Sequence, residues 1–382
     1  MKSLLRILFV LGALLSVIPA AAQTDTIALP DSIWSSTDSV AWVSKVPAYC
    51  EGPAYEAATG YVYFTRQIGN STANWPIMRV KPGVDSAVVW YNAKQNNGLF
   101  FDPQNRLVTC QNGQLSRLVP NSTDGLGMLD SVLTTFTSTT QSNDLYIGRA
   151  GDIYFSGYND GKVYYLNTQR VLSTVATGVS SSNGIEWLQG LDSNAVYVNG
   201  SGSSIVYRYE RDPATGALSN RTSFITGVQA DGGTFDSHGN RYVASYGNGE
   251  IRVYNNGGTY LGRIALRKQK GVYDSVASSG RTGKQGNADN CLFGGPDMKT
   301  LYITGDGGLF SIPLKIPGVS QGSGPVSIWA HDSPASSTTR KIPGEVKVLR
   351  EPRDALGRSL DPALPGAKMK TVRSVSVPNH AD

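Results

Sequence analysis

Residues 231–244 read Asp-Gly-Gly-Thr-Phe-Asp-Ser-His-Gly-Asn-Arg-Tyr-Val-Ala: an acid, a glycine-led strand, an Asp-x-x-Gly turn, and a strand of aromatic and β-branched residues. This template occurs six times, more or less degraded, and the recurrence limits the fold more than any other property of the chain. The copies begin at Glu51, Asn97, Asn143, Asn183, Asp231 and Asn290, spaced 46, 46, 40, 48 and 59 residues apart. Such a period suits one four-stranded blade per copy. Several copies run on into a further hairpin, as at Lys162–Tyr165, Ile205–Tyr209 and Glu250–Tyr254, joined by glycine-containing turns such as Asn159-Asp160-Gly161 and Asn248-Gly249. A β-sandwich would also show short strands and turns, but not one repeated template. The expectation is an all-β chain forming a six-bladed β-propeller over residues 49–318, with a C-terminal extension.

The composition supports many short strands. There are 43 glycines and 19 tyrosines, and no helical periodicity is sustained beyond the first twenty residues. Residues 1–22 have the form of a signal peptide: Lys2 and Arg6, an apolar run from Leu4 to Pro19, then Ala20-Ala21-Ala22. The run is short for a bilayer span. The expected location is therefore secreted or periplasmic, without membrane attachment after cleavage. Residues 23–48 are expected to donate a strand that closes the ring, because an unclosed ring leaves exposed edges. Residues 319–382 read as a Gly/Ser/Pro-rich linker and a basic tail. The formal charge of +5 lies at the two ends: +2 in the signal and +4 from Thr339 onward leave a body of −1. A nucleic-acid surface is not expected on such a body. Cys50, Cys110 and Cys291 lie in or beside predicted strands and read as buried thiols, with one disulfide pair left open by the sequence. Two loops, residues 66–76 and the insertion at 267–285, are candidates to cover an end of the channel.

Every copy is headed by a carboxylate or a carboxamide: Glu51, Asn97, Asn143, Asn183, Asp231, Asn290. Innermost strands of a propeller surround its axis, so these side chains should converge on the channel mouth. Two carboxylates and several amide oxygens make a hard, all-oxygen set of charge −2, suited to Ca²⁺ and less to the stricter geometry of Mg²⁺. The set has no His or Cys to favour zinc or copper. Read singly, each Asn-Gly is an ordinary turn dipeptide, but that reading does not account for Glu51. The chain's three histidines are His238, in an Asp-x-x-Gly turn away from the axis, and His331 and His380, in or near the tail. A Ser-His-Asp site is not expected.

The segments Glu51-Gly52-Pro53, Ser142-Asn143-Asp144, Ser182-Asn183-Gly184, Ala230-Asp231-Gly232 and Phe293-Gly294-Gly295 resemble the gluconolactonase branch of the regucalcin (senescence marker protein) family. So do Asp212–Arg221 and Lys299–Thr304. Together these cover about residues 48–315 in the family's order. The resemblance implies a six-bladed propeller with a central divalent metal, usually Ca²⁺, held by Glu51, Asn183 and Asp231. Asn143 would ligate or contact substrate. It also implies hydrolysis of a small-molecule lactone, with the metal polarising the carbonyl and Asp231 orienting or deprotonating water. Asn97, Asn143 and Asn290 would then contact substrate hydroxyls or complete the coordination. Arg66 and Gly157 stand where family members often carry Asp, so the resemblance leaves the substrate open. Two further readings share the architecture: a non-catalytic calcium-binding propeller that binds a carbohydrate or protein, and a metal-dependent phosphotriesterase.

Overall fold

The computed structural model describes residues 27–319, apart from 47, 69–73, 94, 138, 189–193 and 267–286. The chain divides into two units, Met1–Ser327 and Ile328–Asp382. The signal-like segment at 1–22, the insertion at 267–285 and residues 320–382 lie outside the described residues, as do residues 69–73 of the loop at 66–76.

Six antiparallel sheets of four strands form the body. Their first strands are Tyr49–Glu56, Leu99–Phe101, Ser142–Ile147, Ser182–Trp187, Ala230–Phe235 and Ala288–Gly294. Each of these touches the first strands of both neighbouring sheets, and the sixth touches the first. The sheets are therefore the blades of a six-bladed β-propeller, numbered here in that order, with the first strands innermost. Blade 6 takes its outermost strand, Ala41–Lys45, from near the start of the chain; it pairs with Gly308–Pro313. Ala28 adds a bridge to Arg263 on the outer strand of blade 5.

Burial follows position in the blade. The inner strand of blade 5 is buried at every residue, whereas the outer strand of blade 4, Leu218–Thr226, is mostly exposed. Inner strands are covered on both faces, so they cannot show the polar–apolar alternation of a half-exposed strand. Aromatic side chains fill the wedges between blades: the Tyr63 ring meets Trp90 and Phe101 edge-on, with centroids 5.0 and 5.4 Å apart. Each such pair adds about 0.5–1.5 kcal/mol beyond area burial. The Asp-x-x-Gly turns work through their acid. Asp236 Oδ1 accepts from the backbone N–H groups of His238 and Asn240, both at 2.9 Å, fixing the turn. All three cysteines are buried and free.

Candidate metal and substrate site

The inner strands do not enter the ring as regular ladders. In blades 1, 3, 4 and 5 the pairing with the second strand slips between Glu51 and Ala54, Ser142 and Leu145, Ser182 and Ile185, and Ala230 and Gly233. A bulge of this kind bends the strand and re-aims the side chain it carries. Here it turns Glu51, Asn143, Asn183 and Asp231 inward. With Asn97 they line a cavity of about 170 Å³ at the channel mouth, although all five are buried.

The registers sort the channel into three layers. The middle layer holds the cavity-lining Glu51, Asn97, Asn143, Asn183 and Asp231 and, in blade 6, Asp289. One residue further along lies the lower layer: Gly52, Gly98, Asp144, Gly184 and Gly232. Its glycines are required by crowding around the axis. A Cβ on Gly98 would stand 2.7 Å from the Asn143 carbonyl oxygen, one on Gly184 2.5 Å from that of Asp231, and one on Gly232 would overlap the Asn290 side chain. Asn183-Gly184 inside a strand and Asn97-Gly98 just before one are thus close-approach sites rather than turns.

Blade 6 corrects the sequence alignment by one residue. Ala288 pairs with Gly305 and Cys291 with Ile303, just as Ala230 pairs with Ser245 and Gly233 with Val243. Asp289, not Asn290, therefore corresponds to Asp231, and Asn290 belongs to the lower layer. Asn290 does not line the cavity. Its Nδ2 donates to Asp144 Oδ2 at 3.1 Å, and its Oδ1 accepts from the Cys291 N–H at 2.8 Å. Asp144 and Asn290, the two non-glycine side chains in the lower layer's positions of the opposed blades 3 and 6, thus meet beneath the cavity. Burial, then the charges of Glu51 and Glu186, push the Asp144 carboxyl up to about 8.

The upper layer was missed in the sequence. Blades 1, 3 and 5 each line the mouth with one tyrosine and one glutamine: Tyr49 and Gln67, Gln141 and Tyr158, Gln229 and Tyr246. Each pair faces across the same step of its blade: Tyr49 is registered with Gln67, and Tyr158 and Tyr246 donate their N–H to the carbonyls of Gln141 and Gln229. Tyr49 also reaches down, its hydroxyl lying 3.1 Å from Glu51 Oε1 and 3.3 Å from Asp231 Oδ2. No lysine, arginine or histidine is among the described residues that line the cavity. Arg66, paired with Cys50, stands one residue outside the wall that Gln67 supplies.

The middle layer suits a hard dication on its own chemistry. Burial, and next the Asp231 charge, push the Glu51 carboxyl well above the usual carboxylate range; a cation between the two acids would offset both effects. Asn97 Oδ1 is buried with no hydrogen-bond partner among the described residues. Asn183 gives its Nδ2 to Ser201 Oγ at 3.2 Å, which leaves its Oδ1 as the electron-pair donor. Among the described residues no three His, Cys, Asp or Glu side chains converge to hold a metal, so amide oxygens would have to complete the set.

The family model for the SMP-30/gluconolactonase/LRE-like region matches residues 49–306. The chain belongs to this family. Among curated relatives, the pentonolactonase XacC of Haloferax volcanii is 32% identical over 179 residues, covering 45% of this chain and 55% of the relative. The putative sugar lactone lactonase YvrE of Bacillus subtilis is 29% identical over 146 residues, covering 37% and 44%. The chain thus spans about half the length of the curated relatives it matches. Among solved structures, a gluconolactonase from Xanthomonas campestris aligns with a TM-score of 0.58 at 22% identity, over 76% of this chain and 97% of the other. The calcium-binding protein regucalcin from Agrobacterium tumefaciens aligns with a TM-score of 0.57 at 17% identity, over 73% and 94%. At these identities the structures speak for the shared propeller of the family.

Proposed function

We propose that the protein is a divalent-metal-dependent lactone hydrolase acting on polyhydroxylated, sugar-type lactones. The observation that carries this reading is the pairing of Glu51 and Asp231, both within reach of the Tyr49 hydroxyl, in a cavity whose other middle-layer side chains are Asn97, Asn143 and Asn183. Glu51, Asn183 and Asp231, with Asn143 or Asn97, would hold the ion, for which Ca²⁺ fits the all-oxygen donors best. When bound, the ion supplies Lewis-acid polarisation of the ester carbonyl.

The chain's own groups do the rest. Asp231 orients a water molecule toward the carbonyl carbon and accepts its proton. The ring C–O bond then breaks, and that proton passes to the departing ring oxygen, giving a hydroxy acid that ionises in solution. Asp231 beside a cation is a weak base, so the arrangement favours an activated ester over an amide. The Tyr/Gln wall offers donors and acceptors for hydroxyl groups and no cation for an anionic substituent. The signal-like segment at residues 1–22 supports the further reading that the enzyme works after export.

The test is proton release from glucono-1,5-lactone and a set of pentonolactones, with Ca²⁺, with chelator, and with Asp231→Asn. Turnover that needs Ca²⁺ and is lost in the variant is the expected result. Folded, calcium-loaded protein with no turnover on any lactone would overturn the enzymatic reading and leave a binding propeller.

A further inference from the structure

Beneath the site lies a buried ion pair that the proposed chemistry does not use. Arg241, on the second strand of blade 5, is fully buried, and its Nη1 donates to Glu186 Oε2 on the inner strand of blade 4. Its Nη2 donates to Asn199 Oδ1 at 2.8 Å. Asn199, on the second strand of blade 4, gives its own Nδ2 to the backbone carbonyl of Asp231. Ser201, two residues on, donates to the neighbouring Ala230 carbonyl and accepts from Asn183 Nδ2. The guanidinium lies against the Phe235 and Tyr197 rings, 4.8 and 5.6 Å from their centroids, which keeps it from turning aside.

A buried ion pair is poor evidence for stability, because an apolar pair of similar volume often serves the fold as well or better. What distinguishes this pair is where it leads. The chain through Asn199 ends on the bulge that presents Asp231; Ser201 holds the same bulge and Asn183 through bonds that do not involve the pair. Blade 2 shows the contrast: there a threonine hydroxyl, Thr65 Oγ1, reaches the Asn97 carbonyl at 2.8 Å.

We propose that Arg241, acting through Asn199, is a positioning residue that fixes the Asp231 bulge in the geometry needed to bind the divalent ion. This rests on the metal-dependent reading above. Groups that orient a ligand from behind commonly change metal affinity by about 10–100-fold when removed.

The experiment compares Ca²⁺ affinity by calorimetry and Tb³⁺ luminescence lifetime in the parent, in Asn199→Ser, and in the double variant Arg241→Met with Glu186→Leu. Thermal unfolding of the metal-free proteins is followed in parallel. The expected result is that the double variant keeps the parent's metal-free melting temperature within a few degrees, while its Ca²⁺ affinity falls about tenfold or more. The Tb³⁺ lifetime should shorten as water replaces a misplaced ligand. Asn199→Ser should show the same loss of affinity, and it decides the matter alone if the double variant fails to fold. Affinity within about twofold of the parent in Asn199→Ser overturns the proposal. A parent that binds neither Ca²⁺ nor Tb³⁺ overturns the metal reading itself, a result visible before any variant is made.

Discussion

Blades 3 and 5 carry the same template and place a carboxylate one residue apart, and that single step separates two kinds of acid. Asp231 occupies the middle layer and lines the cavity, near Glu51 and Tyr49. Asp144 occupies the lower layer, tied to Asn290, to the Leu145 N–H at 2.9 Å and, through its own N–H, to Ser156 Oγ at 3.0 Å. The upper acid faces the space where a ligand would sit, while the lower one is bonded to protein and pushed up to about 8, first by its burial. Position relative to the bulge, rather than residue type, decides which acid can serve a metal.

The largest test of this contrast exchanges each acid for its amide. Asp231→Asn should lower Ca²⁺ affinity by about 100-fold or more and reduce lactone hydrolysis by about three orders of magnitude, because one ligand and the proton acceptor are lost together. Asp144→Asn should leave Ca²⁺ affinity within about threefold. If the two variants behave alike in calorimetry, the layers are not functionally distinct.

Next come the glycines that let the lower layer close. Gly232→Ala should destabilise the protein by about 1–3 kcal/mol in urea unfolding, since its new methyl overlaps Asn290. Gly83→Ala, in a surface turn with nothing within 4 Å, meets only the strain of its positive φ and should cost less. Equal losses would remove the crowding argument.

A third test is protonic. The Glu51 carboxyl of the metal-free protein is raised by burial and by Asp231, so below that raised value an incoming ion must displace a proton. The protonated form is the one favoured at low pH. Ca²⁺ affinity should therefore rise with pH, by at most about tenfold per unit, and level off once Glu51 is ionised. Calorimetry in buffers of different ionisation enthalpy would count the proton released; Glu51→Gln should release none.

The smallest effect concerns the upper layer. Tyr158→Phe and Gln229→Leu should each raise KM for a polyhydroxylated lactone by about fivefold, the worth of about one hydrogen bond. Ca²⁺ affinity should not move. A matching change in calcium binding would place these residues in the metal's surroundings instead.

Much of this arrangement was legible in the chain, for identifiable reasons. The blades showed because each inner residue is followed by a short turn and a strand of aromatic and β-branched residues, best preserved in 231–244. The five middle-layer donors showed because carboxylates and amides recur at one place in that template. Asn290 was misplaced because the sixth copy has two polar residues in succession, Asp289 and Asn290, and only the pairing with Thr304 and Gly305 shows which fills the layer. The Tyr/Gln wall was invisible for a different reason. Tyr49 and Gln67 are eighteen residues apart, and their order is reversed relative to Gln141 and Tyr158, so no single-strand motif links them. Arg241 looked like one strand residue among others, since its partners Glu186 and Asn199 lie 55 and 42 positions upstream.

The outer strand of blade 6 carries a consequence for biosynthesis. Residues 41–45 emerge early from the ribosome, yet the edge that receives them, Gly308–Pro313, emerges last of the propeller. A chain stopped after blade 5 would hold every side chain proposed to bind the metal, from Glu51 to Asp231, with no blade to join the first to the fifth. Those acids would then sit on an open arc instead of around an axis, with two unpaired edges exposed to other chains. On the proposed reading, metal binding would then mark a completed propeller: only with blade 6 in place do Glu51 and Asp231 come within reach of the same tyrosine.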